Sequence, residues 1–560
     1  MRLVSKGSSL AAIRWFAAVV AVLSGAVQGS LGQPASAQER PATERSEAGE
    51  APGSEARGRR GRPGTGRERA GAGTVPGEER REGDRLPQPS VTRHKLELPG
   101  RTLEFTATAE AIPLTAENGE VTGEMAVIAY TRDGAEPGTR DGAKLGLRPV
   151  TFAMNGGPGS ASAWVHIGLM GPWRLPLDAD AARPSAPPVL SPNAETWLDF
   201  TDLVFIDPVG TGYSRLVGDE AARTKGAKFY YSVDGDIESI AAAMRNWLTK
   251  HRRTLSPKFY AGESYAGFRA PKVARKLSTE HGIGLSGLMM ISPVIDFGLG
   301  RGSRRDALSW VVGLPSQAAS AADRKGPVTA ADLARYEAYA RGEYLADIMK
   351  GERDGAAVAR IVARVTELTG LDPALVARLK GRIDQATFKR ELARAQGLVG
   401  SAYDATVGGI DPYPATASPA VPHDTFTSAL TAPVTSAMLG LYGGPLAWQP
   451  LRRYQLSGNL IGRWDWGRGR AVNDATGDLE AALALDPRLE VHVSHGYADL
   501  VTPYFASRLV IDQIAAAPSA ARVTLAVYGG GHMFYSRDAS RKAYRAEIEA
   551  MVKRLAPPAQ

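Results

Sequence analysis

Short apolar runs punctuate the chain from about residue 94 onward, separated by stretches with helical spacing. Segments 103–108 and 125–130 read as strands at the start of a sheet, the first alternating more clearly. Further strands are predicted at 150–154, 203–206, 258–261, 288–291, 489–493 and 523–527. Between two of these, Ile237, Ile240, Met244 and Leu248 recur on one helix face. Strands alternating with helices predict an α/β fold, with a mostly parallel sheet flanked by helices.

The rhythm changes over residues 298–465, which carry Ala-rich helical patterns. One opens at Thr329 with Asp332 three residues on, a capping-box start that puts Leu333, Tyr336 and Ala340 on one face. Another carries Val358, Ile361, Val365 and Leu368 and stops at Gly370. A third opens Asp372-Pro373, an N-cap followed by proline at the first helical position. This segment is expected to be a helical cap inserted over the sheet, dividing the core into 94–297 and 466–560.

Residues 38–93 hold almost no large apolar side chains. They cannot bury enough surface to offset the entropy of ordering their backbone, so a disordered linker is expected. The basic block 57–62 lies among acidic residues and reads as a solvated spacer. In residues 1–37, Arg2, Lys6 and Arg14 precede an apolar run at 15–27, and Ala35-Ser36-Ala37 closes the segment. That is the pattern of a secretory signal peptide. The run is shorter than the roughly 20 residues a spanning helix needs. Export to a periplasmic or extracellular space is therefore expected, with no membrane span in the mature chain.

Composition narrows the chemistry. The 560 residues are 43% hydrophobic and 22% charged, and none is cysteine. A disulfide scaffold, a cysteine nucleophile and a Cys-ligated metal are excluded. The net charge of +8 is weak evidence for nucleic acid, and no nucleic-acid partner is expected.

Four segments carry candidate chemistry. In 258–267, a predicted strand runs into Gly262-Glu263-Ser264-Tyr265-Ala266-Gly267, and a helical pattern follows. A sharp strand-to-helix turn crowds the backbone two residues either side of the serine and lifts its hydroxyl clear of the sheet. Met154-Asn155-Gly156-Gly157-Pro158-Gly159-Ser160 follows another strand. It lacks the lysine of a phosphate loop, but its glycines can bring a backbone N–H to a developing oxyanion, with the N–H of Tyr265 as second donor. Asp499 and His532 each stand just past a predicted strand. A serine hydroxyl needs a base to take its proton, and the base needs a carboxylate to orient it. The order Ser264, Asp499, His532 is that of α/β-hydrolase triads. His495, only four residues before Asp499, is the main rival base; the other histidines show no paired metal spacing. No metal or organic cofactor is expected.

These residues together resemble the serine carboxypeptidase family, peptidase family S10. The matches are Asn155-Gly156-Gly157-Pro158-Gly159, Asp207-Pro208-Val209-Gly210-Thr211-Gly212-Tyr213-Ser214, Gly262 to Gly267 with Pro271, Asp499 with Pro503, and Gly531-His532-Met533. The resemblance implies an α/β-hydrolase fold and a secreted serine-type carboxypeptidase acting on peptide or protein C-termini. In that reading Ser264, Asp499 and His532 are catalytic. The N–H groups of Gly157 and Tyr265 form the oxyanion hole, while Asn155 and Glu263 recognise the substrate's terminal carboxylate. A carboxylate beside a carboxylate needs a shared proton, so peptide release should be favoured at acidic pH.

The chain departs from the family pattern at several points. Ser160 stands where cysteine is usual, and Gly168-Leu169-Met170 replaces an acidic pair. Tyr497 replaces an aspartate, and His532-Met533-Phe534-Tyr535 lacks the proline that often follows. The missing acids favour a second reading, an esterase or acyltransferase of the same fold. A third is an inactive binding homologue. The sequence leaves side-chain preference and oligomeric state open.

Overall fold

The computed structural model describes residues 85–134, 148–177, 184–185, 187–300, 302, 304–418, 420–421, 423–467, 473–514 and 520–556. The expected signal peptide and most of the expected linker lie outside the described residues.

Among the described residues a ten-stranded sheet forms the spine. Its successive strands are β1 (Ser90–Leu98), β2 (Arg101–Thr115), β3 (Val121–Arg132), β4 (Val150–Met154), β5 (Asp202–Ile206), β6 (Lys258–Glu263), β7 (Gly287–Ile291), β8 (Glu490–Gly496) and β9 (Val523–Tyr528). The short strand Arg215–Leu216 pairs beside β3. Across the sheet the order is β1-β2-β3-β5-β4-β6-β7-β8-β9. The first three strands and the β3–β5 pair are antiparallel; every later pair is parallel. This strand order, with helices on both faces, is the α/β-hydrolase fold.

Every residue of β4, β5 and β7 is buried. A sheet covered on both faces gives its strands continuous apolar runs instead of alternation. Phe152, Tyr260, Leu288 and Met290 enter one core with Ile240, Met244 and Leu248 of helix α1 (Val233–Lys250). Ala153, Phe259, Ala261 and Met289 point the other way, into a core closed by the C-terminal helix. After β6 the chain enters α2 (Tyr265–His281), which is tied to α1 by a buried Arg269–Asp236 ion pair at 2.7 Å.

The structure corrects one sequence boundary. Residues 90–93, expected in the linker, belong to β1 and pair with Ala109 to Thr106 of β2. Its side chains alternate between half-buried and exposed, and Val91 is 63% exposed. An edge strand held by backbone bonds leaves little trace in hydrophobicity.

Between β7 and β8 lie α3 (Leu314–Asp323), α4 (Ala330–Tyr339), α5 (Gly355–Thr369), α6 (Pro373–Arg378) and α7 (Thr427–Gly443). The predicted signals shape them. Thr329 and Asp332 form a reciprocal capping box, Gly370 caps α5 at φ 65°, and the Asp372 side chain accepts from Leu375 N–H. These helices pack in two places. Leu314, Tyr336, Ile361, Val365 and Val376 share a core with Tyr497, Leu500, Tyr504 and Phe505 beyond β8, where α8 (Tyr504–Ile511) begins. Leu430, Val434, Met438 and Leu441 of α7 join Phe105 and Tyr130 in the core beneath the antiparallel strands. The last helix, α9 (Asp538–Leu555), supplies Tyr544, Ile548 and Val552 to that same core.

Strand β4 lies between β5 and β6, so the chain crosses over at this point of the sheet. Crevices outside the carboxyl ends of strands at such a switch point are where α/β sheets take ligands.

Candidate active site

The C-terminal ends of β4, β6, β8 and β9 lead to Asn155, Ser264, Asp499 and His532, respectively. Ser264 has φ 63° and ψ −122°, a conformation that L-residues rarely adopt. Its neighbours explain why it is tolerated. A Cβ on Gly262 would lie 2.4 Å from Ala266 O, and one on Gly267 would lie 2.4 Å from Pro293 Cβ. Only glycine fits both positions, whereas the methyl of Ala266 is accommodated and buried.

The glycine loop after β4 rests directly on this turn. A Cβ on Gly156 would lie 2.4 Å from Tyr265 N and 2.7 Å from Glu263 O. Gly157 follows with φ 106°. The backbone N–H groups of Gly157 and Tyr265 therefore sit on adjoining loops at the same sheet end, and both residues line one cavity of about 590 Å³. Asn155, Glu263, Ser264 and His532 line it too.

The imidazole and the acid are joined. His532 Nδ1 is 2.7 Å from Asp499 Oδ2, and both side chains are buried. Asp499 is satisfied throughout: Oδ1 accepts from Val501 N–H at 2.8 Å and Thr502 N–H at 2.9 Å, and Oδ2 accepts from the Thr502 hydroxyl at 2.6 Å. A carboxylate with its lone pairs so engaged is fixed in orientation. Burial alone would lower the pKa of His532, but the charge and hydrogen bond of Asp499, aided by Glu263, outweigh it and the net shift is upward. Ser264 and His532 line the same cavity, and the serine-to-base hydrogen bond of such sites is often long until a Michaelis complex tightens it.

His495, the rival base, is outside this cavity. Its Nε2 is 2.8 Å from Ser507 Oγ, and burial pushes its pKa down to about 4. Among the described residues no cluster of His, Asp or Glu could hold a metal ion.

Asn155 and Glu263 touch. Asn155 Nδ2 donates to Glu263 Oε1 at 2.8 Å, while Asn155 Oδ1 accepts from Val165 N–H at 3.1 Å, which fixes the amide's orientation. Burial pushes the Glu263 carboxyl up to about 7, opposed by His532 and by the hydroxyl of Tyr535 and the amide of Asn155, and reinforced by Asp499.

Four residues that the sequence did not single out for the site support it. Thr502 Oγ1 lies 2.6 Å from Asp499 Oδ2 and 3.0 Å from His532 Nδ1. The Ser292 hydroxyl donates to the His532 carbonyl at 2.7 Å. Tyr535 donates to Glu263 Oε2 at 2.5 Å. Tyr403, from the segment between β7 and β8, sets its ring edge-on to His532 with centroids 5.4 Å apart. That segment also bonds to the loops that carry Asp499 and His532. Tyr403 O accepts from His532 N–H at 2.5 Å, Ala402 O accepts from Leu500 N–H at 3.0 Å, and Ala405 N–H donates to Ala498 O at 3.1 Å. Thr502 had a readable signal, a hydroxyl one turn past the acid; the others had none.

Comparison with known proteins finds partial matches. The serine carboxypeptidase family model matches residues 144–308. Serine carboxypeptidase-like 16 of Arabidopsis thaliana is 32% identical over 167 residues, covering 28% of this chain and 35% of that protein. The pheromone-processing carboxypeptidase KEX1 of Yarrowia lipolytica is 33% identical over 150 residues, or 26% of this chain and 22% of that protein. The chain thus spans about a third of the length of the Arabidopsis relatives it matches. Among solved structures, proline iminopeptidase from Mycobacterium smegmatis aligns over 80% of this chain and 98% of that one, at 14% identity and a TM-score of 0.34. By motif order and by the matched segment, the chain is similar to the serine carboxypeptidases over residues 144–308.

Proposed function

We propose that the chain is an exported serine-type carboxypeptidase that releases residues from peptide C-termini through an acyl-enzyme on Ser264. The observation that carries this reading is the convergence of Ser264, His532 and the Asn155–Glu263 pair on one cavity, with Asp499 2.7 Å behind the imidazole. Ser264 Oγ attacks the scissile carbonyl while His532 Nε2 takes its proton. Asp499 holds the ring and stabilises the imidazolium. The N–H groups of Gly157 and Tyr265 receive the oxyanion. His532 returns the proton to the leaving amine, and water then repeats the sequence on the ester.

The Asn155–Glu263 pair supplies the preference for a free C-terminus. Below about pH 7 Glu263 carries a proton that it can share with the substrate carboxylate. Above that pH both groups are charged and repel. Hydrolysis of a free-acid peptide should therefore fall as pH rises through that range. Its amide and ester analogues should not fall with it.

A second reading, an esterase or acyltransferase, is favoured by one observation. Leu169 and Met170 are fully buried in an apolar core, so no second acid reaches the carboxylate site from that turn. Comparing kcat/KM for a blocked dipeptide acid, its amide and a simple ester separates the two. Fluorophosphonate labelling that is lost in Ser264→Ala supports either hydrolase. Folded protein that takes no label would favour a binding role. For export, among the described residues no helix is long and apolar enough to cross a membrane. N-terminal sequencing of the secreted form tests cleavage after residue 37.

A further inference from the structure

Glu263 is held from both sides, and the two hands differ in kind. Oε1 takes a hydrogen from the Asn155 amide, which faces the cavity. Oε2 takes one from the phenol of Tyr535, which lies behind the cavity wall and is fully buried. Tyr535 is the sole donor to Oε2 among the described residues. Its ring stands against the turn at 166–170, where a Cβ on Gly168 would lie 3.3 Å from Tyr535 Cε2. The same Cβ would meet Leu177 Cδ1 first, at 2.5 Å, so the bare glycine leaves room for both neighbours.

We propose that Tyr535 is a positioning residue that sets the pH range over which this site accepts a free carboxylate. The inference rests on the carboxypeptidase reading and deepens it. Both fixed hydrogen bonds are donated to Glu263, and donation to a carboxyl group favours its ionised form. The phenol therefore works against the burial that keeps Glu263 protonated. With one lone pair of each oxygen engaged, the proton shared with a substrate carboxylate occupies a remaining lone pair. The other titratable groups around Glu263 come from every neighbouring element. They are His532 from the loop after β9, Asp499 from the loop after β8, Tyr403 from the segment before β8, and Tyr544 from α9. Removing the Tyr535 hydroxyl leaves all of these in place.

The test is Tyr535→Phe, which keeps the ring that packs against Gly168. The ratio of kcat/KM for a peptide acid to that for its amide is followed from about pH 5 to about pH 9, and its midpoint should move upward by about one pH unit. Glu263→Gln should make the ratio independent of pH. Independently of turnover, the carbon-13 resonance of the Glu263 carboxyl, assigned by its absence in Glu263→Gln, should titrate at higher pH in Tyr535→Phe. A folded variant whose carboxyl titration stays put would overturn the role of Tyr535 alone. A titration that moves while neither protein cleaves free-acid peptides at any pH would overturn the carboxypeptidase reading, and with it the substrate half of the proposal.

Discussion

Residues 262–267 and residues 402–405 both reach the candidate triad, but they are held there by different forces. The first is a steric solution. Gly262 and Gly267 admit backbone and proline atoms where a methyl would collide, and Ser264 is left at φ 63° facing the cavity. The second is a strap of backbone hydrogen bonds. Tyr403 O, Ala402 O and Ala405 N–H join it to the loops carrying His532 and Asp499. Close approach demands particular residue types, whereas a backbone hydrogen bond can be made by almost any. The elbow is therefore written in its own six letters, and the strap is not.

Substitutions can break or sharpen this contrast. The largest effect is expected from His532→Ala, which removes the proposed base. Hydrolysis should fall by about 10⁴-fold or more with fluorophosphonate labelling abolished in parallel. Gly156→Ala comes next, because its methyl would push into Tyr265 N and displace one proposed oxyanion donor. A loss of about 100–1000-fold in kcat is expected, with KM changing far less. Gly531→Ala probes the strap, since its Cβ would lie 1.9 Å from Tyr403 O. Lifting the strap off the histidine loop should cost about 10–100-fold in kcat, by misplacing a base whose partners remain intact. A loss larger than that of Gly156→Ala would make the strap, not the elbow, the more decisive support. Thr502→Val is the mildest; it removes one donor to Asp499 while its backbone N–H still binds Oδ1. About a 10-fold fall in kcat/KM is expected, and an unchanged value would show that the remaining donors suffice to orient the acid.

The same contrast explains what could be read in the sequence. The strand 150–154 was legible to the residue because a strand buried on both faces must be apolar throughout. The helices from Ala330 and from Pro373 were legible from their caps, where Thr329 with Asp332 and Asp372 satisfy free N–H groups by side-chain chemistry. Strand β1 was missed, since its pairing with β2 is backbone to backbone and Val91 faces solvent. Within the site, Ser264, Asp499 and His532 stand at strand ends, which periodicity locates. Tyr403 and Ser292 act through a ring edge and a single hydroxyl, and nothing in their neighbours' spacing announces either. Tyr535 stands three residues past His532, but its reach to Glu263 is a tertiary fact that no spacing announces.

The order of these parts along the chain has a consequence for how the molecule comes into being. The elbow and the residues it packs on, Ile291 and Pro293, are made by residue 293, yet the proposed base arrives only at residue 532, after the strap it leans on has been made. A chain that ends before residue 532 holds Ser264 without the base that, on the proposed mechanism, would draw off its proton. On the proposed mechanism, hydrolytic competence switches on only when the final loop has docked, so the protein is harmless to its own surroundings for nearly all of its synthesis.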